Sequence, residues 1–143
     1  MKIYDPAEVI VTFGGADIEG FAPGSFITVE QNADAFAIVV GNRGDVARSK
    51  TSNRTARITV RLMQTSQSND LLSTAHNLDL NAPNGAGVAP ITVRDAATGS
   101  AFYAATEAWV VRAPTANFDS TDTPREWVFE CARLERFDAG VAG

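Results

Sequence analysis

The sequence has little cysteine and histidine, and it lacks any long hydrophobic run. Its 143 residues include one Cys and one His. A single Cys excludes an internal disulfide framework, and these two residues cannot supply the four soft ligands of a structural zinc site. No run of about 18 apolar residues is present, and the N-terminus lacks an apolar signal region. We therefore expect neither a zinc finger, a transmembrane helix nor a secretory leader.

Basic residues are also few, and they are unevenly distributed. The chain carries 17 acidic and 12 basic residues, which gives a net charge of −5. Residues 1–42 have a net charge of −5, whereas residues 43–61 hold six basic residues and one acidic residue. The acidic total argues against nucleic-acid binding by the whole surface. The basic block indicates contact with a nucleic acid or with another copy of the protein, although a solvated basic loop would look the same.

Most apolar residues recur with a period of two, which is typical of β-strands. Between residues 54 and 64, for example, apolar residues alternate with Arg and Thr. Turn sequences such as Asn84-Gly85 separate the apolar runs. Further strands are predicted at Glu8–Phe13, Ile18–Ala22, Phe26–Gln31, Ala35–Val40, Ile91–Asp95, Ala101–Arg112 and Trp127–Phe137. The chain is therefore predicted to be a single, mainly β domain, built as an antiparallel β-sandwich or barrel.

One segment departs from this period and predicts a short flanking α-helix. It covers Ser68–Leu80, and Ser68 or Asn69 is available as the N-cap. A helix of this length is not stable alone, so its apolar side must pack on the sheet. The residues expected at that contact are Leu71, Leu72, Ala75 and Leu78.

A long polar segment separates two of the predicted strands. Gly41–Asn53 contains almost no large apolar residue, yet strong strand patterns precede and follow it. Loops of this length are usually functional or disordered. We therefore predict an extended polar hairpin arm here, which becomes ordered only against a neighbouring subunit.

No set of residues suited to catalysis is apparent. His76 and Asp79 lie three residues apart on the predicted helix and could share a surface hydrogen bond, but two ligands do not make a metal site. Cys131 shares a strand face with Trp127 and Phe129, which predicts a small core residue rather than a reactive thiol. Phosphate-binding, dinucleotide-binding and nucleophile-elbow sequences are all missing. We therefore predict a protein that is not an enzyme and that uses no cofactor or metal.

Nucleic-acid binding through the basic block is a better-supported alternative function than catalysis. Basic residues on a hairpin could contact phosphates. Single-strand binders, however, also need aromatic side chains on which bases stack, and none is interleaved here. The residues concerned are Arg43, Arg48, Lys50, Arg54, Arg57 and Arg61.

Three segments resemble the tail tube proteins of contractile-tailed bacteriophages. Residues 58–72, a strand that leads directly into a helix, are similar to the corresponding segment of that family. Ala108–Pro114 and Trp127–Ala132 resemble its penultimate and last strands. The order of elements is similar from Tyr4 to about Phe137, and the type VI secretion tube protein shows a more distant likeness.

The resemblance implies a structural virion protein of the phage tail, assembled in the cytoplasm of the bacterial host. Six copies would close into a ring, and rings would stack into the hollow inner tube. DNA and the tape measure protein would pass through this tube during genome ejection, without specific DNA binding and without a membrane partner. The implied partners are other copies of the chain, the tail sheath protein, the tape measure protein, and the baseplate and tail terminator proteins. A terminator or baseplate ring protein of related fold, or a non-viral nucleic-acid-binding module, remains the alternative.

Two groups of residues follow as candidate sites. Contacts between rings are assigned to the arm, through Arg43, Asp45, Arg48, Lys50 and Arg54. An acidic chain suits a conduit that must not retain DNA, so Glu8, Glu19 and Glu30 are candidates for the channel wall, with mere solvation of the outer wall as the alternative. Residues 139–143 show no helix or strand pattern and are predicted to be a disordered tail.

Overall fold

A computed structural model describes residues 9–24, 26–83, 85–95, 101–116 and 123–138. Over these residues the chain forms ten strands and one helix. The strands are β1 (Val9–Phe13), β2 (Ala16–Ile18), β3 (Ile27–Gln31), β4 (Phe36–Val40), β5 (Val46–Lys50), β6 (Ala56–Leu62), β7 (Ala89–Asp95), β8 (Ala101–Arg112), β9 (Arg125–Cys131) and β10 (Glu135–Asp138), and the helix α1 is Ser68–Asn81. Glu8 and the tail at residues 139–143 lie outside the described residues.

Eight strands form one antiparallel sheet, in the order β2-β1-β7-β8-β9-β6-β3 with β10 beside β8. The prediction of a mainly β, antiparallel fold with one helix is confirmed. The sheet curls over its own core, because the rings of Phe13 in β1 and Phe129 in β9 lie 5.0 Å apart although two strands separate β1 from β9. It does not close, since β2 and β3 remain at opposite ends. The architecture is therefore consistent with a sandwich rather than a barrel.

The single last strand predicted at Trp127–Phe137 is wrong, because the chain bends at residues 132–134 and forms two strands. The Ala132 N–H donates to the carbonyl of Glu107, and the Leu134 N–H donates to the carbonyl of Arg54. These bonds turn Leu134 into the core, where it is buried. As a result β9 pairs with the end of β8, whereas β10 pairs with its beginning.

The core lies on one face of the curled sheet. The alternation predicted for β6 is confirmed, because its burial alternates between Ala56 and Leu62. Fully burying one large apolar side chain contributes about 1.5–3 kcal/mol, so this face is the main source of stability. The largest completely buried side chains are Phe129, Ile58, Leu62, Leu72, Ile91, Val11, Val60 and Cys131.

Helix α1 forms where it was predicted and is one residue longer, but its start differs. Gln67 occupies the N-cap position and makes no side-chain capping bond. The Ser68 hydroxyl instead accepts a hydrogen bond from the Glu19 N–H (2.9 Å). Asn69 accepts one from the Trp127 indole N–H (2.9 Å) and donates to the Met63 carbonyl (3.0 Å). Both predicted caps are therefore occupied by tertiary bonds that fix the helix on the sheet.

The prediction that four apolar residues of α1 pack on the sheet is only partly right. Leu72 is buried and Ala75 packs against the core. Leu71 and Leu78, however, are 37% and 51% exposed. Because the helix rests on the sheet along a narrow line, mainly against β8, residues one position away from that line face outwards.

Candidate self-assembly surfaces

The most exposed element of the described chain is a β-hairpin, which we call the arm and which comprises Phe36–Lys50. Its strands β4 and β5 pair only with each other within the described residues. The turn is closed by hydrogen bonds from the Gly41 N–H to the Asp45 carbonyl (2.7 Å) and from the Gly44 N–H to the Gly41 carbonyl (3.0 Å). Gly44 has a φ of 84°, a conformation that glycine adopts at little cost. Every residue of the arm is exposed.

The arm therefore takes in a strand that precedes the predicted polar segment. The strand predicted at Ala35–Val40 forms, but it belongs to the arm and not to the main sheet. Successive side chains of a strand point to opposite faces, so one face of the arm is strongly apolar. We call this set the apolar arm face: Phe36, Ile38, Val40 and Val46.

Basic residues border the apolar arm face. Arg48 is the cross-strand partner of Ile38, and Lys50 is the partner of Phe36. The Arg48 guanidinium lies over the Phe36 ring, 4.4 Å from its centroid, at a distance that permits a cation–π contact. The opposite face of the arm carries smaller side chains, among them Val39 and its partner Ala47. One face of the arm is thus apolar and basic together.

The structure brings four of the five predicted arm residues onto the arm. Arg43 and Asp45 lie in the turn, and Arg48 and Lys50 lie on β5. Arg54 lies beyond the hairpin. It is half-buried there, and its backbone carbonyl accepts a hydrogen bond from the Leu134 N–H. Whether these residues contact a neighbouring ring stays a prediction.

The basic block does not act as one surface. Arg57 is paired within the subunit, because its Nε lies 3.3 Å from the Glu130 carboxylate, to which the Asn32 amide also donates. Arg61 also has an interaction partner within the chain. Only Arg43, Arg48 and Lys50 of the block's six basic residues lie on the arm. This division weakens the case for a continuous basic surface that follows a nucleic-acid backbone.

The candidate channel acids are not brought together by the fold. Glu19 is exposed just after β2, and Glu30 is exposed on β3, opposite Arg57 of β6. These strands are the two ends of the sheet order. Since Glu8 lies outside the described residues, the assignment of these acids to a channel wall stays a prediction.

Two sheet edges and one aromatic pair are also open to a partner. Among the described residues, β2 and β3 each pair along one side only. Phe102 of β8 and Phe137 of β10 stand opposite each other and are both exposed. Unpaired edges and contiguous apolar patches are typical of surfaces that another chain covers.

The titratable side chains of the described residues form no catalytic arrangement. His76 is half-buried and its Nδ1 has no hydrogen-bond partner, whereas the Asp79 carboxylate accepts a bond from the Gly87 N–H (3.3 Å). Cys131 is completely buried, as predicted. Burial, reinforced by the charge of Glu130, raises the pKa of its thiol to about 11. Such a thiol is not a nucleophile at neutral pH.

Within the described part of the chain, no three His, Cys, Asp or Glu residues are grouped to hold a metal ion. No described helix is both long and apolar enough to span a bilayer.

A sandwich-like subunit with an exposed apolar and basic arm and open sheet edges has surfaces suited to self-assembly. Residues 7–137 match the family described as Bacteriophage PhiTE tail tube protein, and the chain belongs to this family. It is therefore a structural protein of a phage tail and not an enzyme. Family membership overturns the non-viral alternative.

A curated relative and several solved structures agree with this assignment. "Structural protein ORF10" of Pseudomonas phage KPP10 is 31% identical over 131 residues, which cover 87% of this chain and 75% of the relative. The cap of the anti-feeding prophage tube is similar in fold, with a TM-score of 0.62 and 11% identity over 97% of this chain and 93% of the cap chain.

Two structures of an extracellular contractile injection system are equally similar. Its sheath/tube terminator in the extended state has a TM-score of 0.62 and 15% identity, over 95% of this chain and 97% of the other. Its sheath–tube complex in the extended state has a TM-score of 0.62 and 12% identity, over 96% and 93%. At these identities the similarity shows the fold alone.

Proposed function

We propose that this protein forms hexameric rings that stack into the hollow inner tube of a contractile phage tail, through which DNA and the tape measure protein pass during genome ejection. The observation that carries this proposal is the arm, whose apolar residues are exposed along its whole length. An isolated two-stranded hairpin is marginally stable in water. The arm is therefore expected to gain its stability from a neighbouring subunit.

Two kinds of contact are needed for a tube, and the chain offers surfaces for both. Contacts between unlike patches that close after six copies give a ring, and a second such contact that does not close extends the ring into a tube. The open edges of β2 and β3 suit the first contact, because pairing removes exposed strand edges. The arm, which projects from the sheet, suits the second.

Charge supports the role of a conduit. Six chains, each with a net charge of −5, give each ring a net charge of −30. A narrow channel with walls of low dielectric constant focuses such a field. A negative inner wall, to which Glu30 would contribute, repels phosphates and lets DNA pass without binding.

The proposal also includes the surrounding assembly, and membership of the tail tube family supports it. The tail sheath protein would surround the tube, and the tape measure protein would occupy it before ejection. The baseplate and terminator proteins would lie at its two ends. All of these proteins would assemble in the bacterial cytoplasm. A terminator or baseplate ring protein is the second candidate function. The same fold occurs in a tube cap, in a sheath/tube terminator and in a sheath–tube complex, so it is compatible with both candidates.

Electron microscopy of the purified protein in negative stain tests the proposal. A tube subunit gives tubes of constant diameter with a central channel, whereas a terminator stops at single rings. The matched control replaces the arm by a short Gly-Ser turn, which leaves the core untouched and should abolish stacking. A chain that stays monomeric in analytical ultracentrifugation over a wide concentration range would overturn both candidates.

A further inference from the structure

The outer side of α1 carries a second exposed apolar surface. Leu71 and Leu78 are seven residues apart, which is two helical turns, so they point in the same direction. They lie about 10 Å apart along the helix axis, at 1.5 Å per residue. We call the exposed side of the helix around them the α1 outer stripe: Asp70, Leu71, Thr74, Asn77, Leu78 and Asn81.

The α1 outer stripe and the apolar arm face are complementary in charge. The α1 outer stripe carries one acidic residue, Asp70, and the helix has no Lys or Arg. The apolar arm face is bordered by Arg48 and Lys50. Complementary charge of this kind selects a partner and fixes the orientation in which it docks.

The two surfaces also match in length. From Phe36 to Val40 the arm strand spans about 14 Å, at roughly 3.4 Å per residue. The arm strand is therefore long enough to cover both Leu71 and Leu78, which lie about 10 Å apart. With Lys50 at the base of the arm beside Asp70, Phe36 would lie near Leu71 and the tip of the arm near Leu78.

We propose that the apolar arm face of one copy docks along the α1 outer stripe of a neighbouring copy. This inference rests on the proposed self-assembly and identifies the surface that receives the arm. Docking covers apolar side chains that are exposed in the single subunit on both partners: Phe36, Ile38, Val40 and Val46 on the arm, and Leu71 and Leu78 on the helix.

The other exposed apolar patch is a poorer match. Phe102 and Phe137 lie in one cross-strand row with Arg94, which is also exposed. Glu135, two residues before Phe137 on β10, is already paired with Arg133 (3.3 Å). This patch would place a basic residue against the basic border of the arm, which like-charge repulsion disfavours.

Cross-linking tests the contact directly, because the natural Cys131 is buried and gives little background. Two single variants, Val40→Cys and Leu78→Cys, are mixed, assembled and oxidised, one of them carrying a size tag. A disulfide forms only where the two Cα atoms approach within about 7 Å. We expect a tagged–untagged dimer that disappears on reduction. Val39→Cys, which points to the opposite face of the same strand, is the matched control and should give no such dimer with Leu78→Cys.

Charge reversal provides an independent test. Lys50→Glu or Asp70→Lys alone should raise the critical concentration for assembly by at least about tenfold, because like charges that meet at an interface are strongly unfavourable. The double variant should restore assembly towards the wild-type value. Circular dichroism of each variant establishes that the subunit still folds.

The outcomes separate this inference from the proposed function. Assembled tubes that cross-link Val40→Cys to Phe102→Cys but not to Leu78→Cys would overturn the docking site and leave the tube intact. Equal cross-linking by the Val39→Cys control, or failure of the double charge reversal to restore assembly, would also overturn it. If the wild-type protein does not assemble at all, the proposed function fails first.

Discussion

Removing apolar surface from the arm should weaken assembly strongly without weakening the subunit. The perturbation is the double substitution Ile38→Thr and Val46→Thr, both on the apolar arm face. Threonine keeps the β-branched shape that favours strands. Its hydroxyl, however, cannot be buried without cost unless it finds a hydrogen-bond partner.

The expected change in the critical concentration follows from the exposed fractions of the two side chains. Ile38 is 68% and Val46 is 67% exposed, so about two-thirds of each side chain is left for a neighbour to cover. Full burial of such a side chain contributes about 1.5–3 kcal/mol. Burial of the remaining two-thirds by a neighbour therefore contributes about 1–2 kcal/mol for each residue and about 2–4 kcal/mol for both. Since 1.4 kcal/mol corresponds to a factor of ten, the critical concentration for assembly should rise by about 30- to 700-fold.

Two measurements check this expectation. Sedimentation of assembled protein over a concentration series gives the critical concentration, and thermal unfolding followed by circular dichroism gives the stability of the subunit. The matched control is Val39→Thr with Ala47→Ser, two substitutions on the opposite face of the arm. This control should assemble nearly as well as the wild type.

Two results would contradict the reasoning. An unchanged critical concentration would mean that the apolar arm face stays in water in the assembled protein. A fall in the free energy of unfolding as large as that of a core substitution would mean that the arm is packed within its own subunit.

Two further predictions concern the core. Phe129→Ala removes a completely buried ring that contacts Phe13, and it should lower the free energy of unfolding in urea by about 3–5 kcal/mol, whereas Phe129→Leu should cost clearly less. The pKa of the Cys131 thiol is raised from 9.0 to about 11 in the folded subunit, so the unfolded chain loses this proton first and stability should fall as the pH rises from about 9 to 11. Urea unfolding at several pH values should show a smaller loss over this interval in Cys131→Ala, and an equal loss in both proteins would refute the assignment.

Most of the secondary structure could be predicted from the sequence, because its signals are local. In β6, alternating apolar and polar residues mark a half-buried strand, and every second side chain is indeed buried. The helix at Ser68–Asn81 was recognisable from leucines at helical spacing. The division of the last strand at residues 132–134 was not, because it depends on bonds to the distant carbonyls of Glu107 and Arg54.

The candidate site was found only in part. The polar and basic segment after Val40 pointed to an exposed arm, but the apolar run at Ala35–Val40 was assigned to an ordinary strand. A short apolar run is typical of a buried strand, and nothing in its composition shows that neither of its faces will be covered within the subunit. Likewise, the spacing of Leu71, Leu72 and Leu78 predicted one apolar side of a helix without indicating how wide a contact the sheet would offer.

The sequence by itself determined the mainly β character, the helix after β6 and the uneven charge, and its resemblance to tail tube proteins agreed with the family found. Each of these depends on residue type and on spacing along the chain. The tertiary structure alone decided which apolar residues remain exposed, because burial depends on which distant strands reach a given side chain. It thereby revealed the apolar arm face and the α1 outer stripe, where hydrophobic surface is left over once the core of the subunit is complete.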